Sequence, residues 1–116
     1  MDTKIVLRNG SELKVNFLDL DFRGMYVEEA KKYSEAMNKI NLEDDEMLVL
    51  NTQYEYTKEF IDKVFGVGEF DSLMKGKRDL ALMLELVVAL TNAKAEMDKT
   101  LNEMSAKVNF GNGYPA

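Results

Sequence analysis

Apolar side chains stand two residues apart at the start of the chain, at Ile5 and Leu7 and again at Leu13, Val15 and Phe17. A period of two is the signature of a strand with one buried face. Asn9-Gly10 between the two runs is a strong hairpin signal. A two-residue loop there pairs Leu7 with Glu12 and Ile5 with Lys14, mixing polar and apolar on both faces. A loop one residue longer pairs Leu7 with Leu13, Ile5 with Val15 and Thr3 with Phe17, and sets Arg8 opposite Glu12. Because a one-residue slip turns every side chain over, the longer loop or a bulge after the turn is expected, within a hairpin over residues 3–18.

The period then changes. After an acidic connection, Asp19 to Gly24, the residues Tyr26, Ala30, Tyr33, Met37 and Ile40 recur at three- and four-residue steps and predict a helix over about 25–40. Its other face, with Glu28, Glu29, Lys31, Lys32, Glu35 and Lys39, is charged and mixed in sign. A second helix is expected over 43–65, with Asn41 as N-cap and the stripe Leu50, Tyr54, Thr57, Ile61 and Val64. Glu43-Asp44-Asp45-Glu46 suits the positive end of that helix. It lacks the alternate ligands, bend glycine and distal glutamate of a calcium loop.

Gly66 closes the second helix, and a short connecting helix is expected over 70–75, closed by Gly76. The last helix, over 78–107, extends to about 45 Å at 1.5 Å per residue. Its first half, Leu80 to Leu90, is apolar on all sides and is expected to be buried on all sides. Its second half thins to Met97, Leu101, Met104 and Val108, where it could project and meet a partner. Residues 109–116 are turn-rich and expected to be a flexible tail. The fold class is therefore mainly α with a small β-hairpin (α+β), an N-terminal antiparallel hairpin followed by three long helices and one short connecting helix. A single globular domain over 1–108 is expected.

Composition narrows the function more by exclusion than by assignment. The 116 residues carry a net charge of −6 and no cysteine or histidine. Nucleic-acid binders show a basic face, so none is expected as a partner. An acidic mimic of nucleic acid needs a continuous acidic face, which the lysines between Glu28 and Lys39 and between Lys94 and Lys107 interrupt. No apolar stretch reaches the ~20 residues of a membrane span. The N-terminus shows neither a signal-peptide core nor a transit peptide. A cytoplasmic protein is expected.

Without His or Cys, nucleophile–base pairs and zinc sites are not available, and no enzyme, cofactor or metal is expected. Gly66-Val67-Gly68 is too short for a dinucleotide fingerprint and follows a helix rather than a strand. Glu85 is the acid within the apolar block. It is either a buried functional acid, the solvent-facing position of that segment, or a partner of Lys77 or Arg78. Eight methionines are many for this length. Flexible thioethers fill irregular cores and also suit adaptable binding surfaces.

Val64-Phe65-Gly66, the connector Met74-Lys75-Gly76-Lys77 and the long apolar helix, preceded by a hairpin and an acidic-basic helix, form a layout from Ile5 to about Lys107. It resembles the tail assembly chaperones of siphophages and prophages of Gram-positive bacteria. The resemblance implies a non-enzymatic helical protein of the bacterial host cytoplasm that binds the tape-measure protein and/or tail-tube subunits during tail morphogenesis. A homo-oligomer is implied too, as is a longer form made by translational frameshift. A structural tail or head–tail connector component retained in the virion is the alternative. The connector reads as a hinge, and Phe65, Phe70, Met74, Met97, Leu101 and Met104 are the expected partner-binding residues.

Overall fold

A computed structural model describes residues 2–111, with side chains through Val108. The fold is α+β and mainly α. Strands β1 (Thr3–Val6) and β2 (Glu12–Val15) form an antiparallel hairpin, followed by helices α1 (Leu20–Asn38), α2 (Glu46–Phe65), α3 (Glu69–Met74) and α4 (Leu80–Gly111).

The hairpin register pairs Ile5 with Leu13 and Thr3 with Val15. The loop has the expected three residues but begins one residue earlier, at Arg8 instead of Asn9. Leu7 N–H donates to Ser11 O at 2.8 Å, and Gly10 N–H to Leu7 O at 2.9 Å. A three-residue hairpin loop ends in a left-handed residue. Gly10, at φ 86°, therefore takes the third place and fixes the start at Arg8. This two-residue shift in pairing leaves the faces unchanged, and Ile5, Leu7, Leu13, Val15 and Phe17 are all buried. Glu12 pairs with Lys4 at 2.8 Å on the outer face, not with Arg8.

Helix α1 starts at Leu20, five residues before the periodicity begins. Asp19 caps it by accepting from Phe22 N–H at 3.0 Å. Gly24 lies inside the first turns, where glycine costs ~1 kcal/mol relative to alanine and reads from sequence as a break. Phe22 and Tyr26 offset that cost by packing. Phe17 meets Tyr26 edge-on at 4.8 Å, Phe22 meets Phe65 at 5.7 Å, and Tyr33 stacks on Phe60 at 4.8 Å. These contacts place α1 antiparallel to α2.

Helix α2 starts at Glu46. Asp45 is its N-cap, accepting from Leu48 N–H at 3.2 Å. Asn41 turns back on Glu43 N–H instead, so only Glu46 of the acidic run enters the first turn. At the other end Asp62 accepts from Phe70 N–H at 3.0 Å and begins the connection to α3.

Helix α4 is capped by Asp79, which accepts from Leu82 N–H. Leu82, Met83, Leu86, Leu90 and Ala93 bury one side of it against the body. The helix continues through Gly111, beyond the 109 expected for the start of a flexible tail; residues 112–116 lie outside the described residues. The radius of gyration, 17.1 Å, exceeds the ~13 Å of a compact chain of this length, and the molecule measures 59 × 32 × 21 Å.

Candidate protein-binding surface

The connector between α2 and α4 is fastened rather than free. Phe70, Leu73 and Met74 are buried in the central core. The carbonyl of Leu73 accepts from Asn9 Nδ2 and from Ser11 Oγ, both at 2.8 Å. Lys75 Nζ donates to Asn9 O at 2.6 Å. A hairpin turn more than sixty residues away in sequence thus satisfies the end of α3, with Lys75 (φ 54°) and Gly76 (φ 74°) turning the chain out. The hinge expected here is a clamp. Phe70 and Met74, expected to face a partner, have no surface to offer one, and Phe65 is held by Phe22.

Helix α4 carries part of the apolar surface left uncovered among the described residues. Leu84 is 58% exposed and Val88 55%, so the first half of α4 is not buried on all sides. Leu80, Leu84 and Val88 follow one another at four-residue steps on its outer side. Leu80 also lines a shallow cleft of about 110 Å³ with Met47, Leu50 and Tyr54, which extends the apolar strip onto α2. Arg78 lies over the Tyr54 ring at 4.8 Å and bonds Asn51, closing the edge of that cleft.

Farther along, Met97 sits at the rim of the core, while Leu101 is 39% exposed and Met104 50%. Arg23 reaches Phe17 O and Asp98 Oδ1, both at 2.6 Å, and Lys94 Nζ reaches Asp98 Oδ2 at 2.8 Å. Beyond Asp98, α4 runs clear of the body as an arm of about 20 Å. Arg23 Nη2 is buried without a hydrogen-bond partner among the described residues. Glu85, left open by sequence reasoning, is partly exposed and receives Arg8 Nε and Arg8 N–H, each at 3.2 Å.

Between α1 and α2 a cleft of about 250 Å³ has Tyr33, Ala36, Tyr56 and Phe60 as its floor and Glu29, Lys32, Glu59 and Lys63 along its edges. The edge charges are matched, Lys63 to Glu59 at 2.9 Å and Lys32 to Glu29 at 3.4 Å. The Tyr33 hydroxyl is joined to Thr57 Oγ1 at 2.9 Å. Its polar groups are thus directed at one another. Among the described residues no three acids gather into a metal-binding group. Burial raises the Tyr26 and Tyr54 hydroxyls above their ordinary value, as core tyrosines do.

Residues 9–112 match a family of unknown function, DUF6673. The chain belongs to that family. Its match begins at Asn9, the turn residue that clamps α3, and takes in all four helices with the arm of α4. No curated protein and no solved structure matches this DUF6673 chain.

Sequence reasoning missed the outer strip of Leu80, Leu84 and Val88 as a surface. Its signal was present as a third apolar direction on one helix. A single layer of neighbours covers only one side of a helix, so continuous apolarity on α4 leaves its other side, Leu80, Leu84 and Val88, exposed.

Proposed function

We propose that the protein holds another protein without catalysing a reaction, as a tail assembly chaperone of a siphophage or prophage acting in the host cytoplasm. Its clients in this reading are the tape-measure protein and/or tail-tube subunits. The observation that supports it best is the exposed apolar strip of Leu80, Leu84 and Val88, extended by Met47 and Leu50. Large apolar side chains grouped on a surface mark a place where another protein binds. Fully burying each is worth about 1.5–3 kcal/mol. A strip along one helix, without a deep enclosed pocket, suits an elongated apolar client segment such as a helix. No helix among the described residues is long and apolar enough to cross a membrane.

Co-expression with a tape-measure protein tests the reading. The client is expected to be more soluble with this protein than without it, and the double variant Leu84→Glu/Val88→Glu to lose that effect while remaining folded. An unchanged client overturns the proposal. Detection of the protein in purified virions by mass spectrometry would favour a retained connector component instead.

A further inference from the structure

We propose that the arm of α4 joins two copies of this chain, pairing antiparallel about a two-fold axis with Leu101 of each copy against Met104 of the other. The contact face of α4 does not stop where the body does. Leu86, Leu90, Ala93 and Met97, which pack the helix onto the core, are followed at the same spacing by Leu101 and Met104. This is the intramolecular interface continued past the end of its partner surface.

The body also dictates the direction. It occupies that face of α4 from Leu82 to Ala93, with Met97 at its rim. A helix lying parallel to the arm on this face would have to run back through the body. An antiparallel helix leaves past the tip of the arm, and its own body lies at the opposite end. A two-fold axis midway between Leu101 and Met104 opposes those two residues and sets Met97 opposite Val108. Apolar positions then meet apolar positions in every layer.

The flanking charges agree. Lys107 flanks the stripe, with Glu96 and Glu103 farther round the same side of the helix; all three are exposed, and none of them makes an ion pair among the described residues. Antiparallel pairing sets like edge against like edge. Lys107 of one copy then lies between Glu96 and Glu103 of the other along the axis. On the opposite edge Asp98 is already taken by Arg23 and Lys94. The overlap, Met97 to Val108, is about 18 Å of helix. That places the contact at the small end of specific interfaces, so the dimer is concentration-dependent. This pairing does not rest on the client reading, because it uses a different face of α4.

Light scattering after size-exclusion chromatography measures it directly. The mass is expected to rise with concentration from 13.2 kDa towards twice that value. Leu101→Glu/Met104→Glu is expected to stay at the monomer mass with unchanged circular dichroism, while Leu84→Glu/Val88→Glu still dimerises. The chain has no cysteine, so single cysteines report geometry without background. Mixing a Leu101→Cys chain with a size-tagged Met104→Cys chain under mild oxidation should give the mixed disulfide in preference to either same-residue pair. A monomer at every concentration, as an arm that serves only a client would give, overturns the proposal. So does dimerisation unaffected by the arm variant, loss of dimers only with the outer-strip variant, or dominance of same-residue disulfides.

Discussion

The two oxygens of Asp98 accept from Lys94 at 2.8 Å and from Arg23 at 2.6 Å. These hydrogen bonds, that of Lys94 foremost, hold the carboxyl below its ordinary value of 3.8. A carboxylate depressed on folding adds stability that is complete above 3.8 and is lost as pH falls through the lower folded value. Asp98→Asn is expected to cost about 1 kcal/mol at neutral pH, a modest figure because the pair is partly exposed. Urea denaturation at pH 7 and near pH 3 should show the difference from wild type shrinking in acid. Gly10 is a second such residue. A Cβ there would stand 3.6 Å from Lys75 Nζ, an ordinary contact, so Gly10→Ala is penalised by its φ alone. The expected loss is about 1–2 kcal/mol. Gly10→Asn, which tolerates the left-handed conformation better, should lose less in the same denaturation assay.

Helices are long enough here for their periodicity to be read directly, and the three long ones stand where it put them, apart from their ends. The ends followed caps and glycines. Gly24 masked the first turns of α1, and Asp45, three residues before Leu48, outcompeted Asn41 for the start of α2. The two sides of α4 differ most from the expectation. Leu86→Ala, at a fully buried position, is expected to cost about 2–5 kcal/mol. Leu84→Ala, two residues away on the outer strip, should change stability by no more than about 0.5 kcal/mol. Chemical denaturation of the pair separates a helix buried all round from one buried on a single side; equal losses would contradict the exposure of Leu84.

For the whole molecule, the arm sets the dimensions. Small-angle scattering of the dilute protein should return a radius of gyration near 17.1 Å, well above the ~13 Å of a compact chain this long. With rising concentration the longest dimension should grow beyond 59 Å, because antiparallel arms place the bodies at opposite ends. A compact particle at low concentration would mean that the arm folds back.

The chain by itself determined which elements form and which faces of the strands turn inward. Those properties depend on neighbours within a few residues: the odd-numbered set Ile5, Leu7, Leu13, Val15 and Phe17, the stripes of α1 and α2, and the glycine at the hairpin turn. Of the expected site, the stripe through Leu101 and Met104 was legible for the same reason. Tertiary structure decided everything that joins distant residues. The clamp of Asn9 and Ser11 on Leu73 turned a hinge into a fixed junction and drew Phe70 and Met74 into the core. Arg8 took Glu85, and Arg23 fixed the point at which α4 leaves the body. Local spacing shows that a side chain is apolar and which side of its helix it is on. Only the packed chain shows whether there is anything on that side to cover it, and along the outer strip and arm of α4 there is nothing among the described residues.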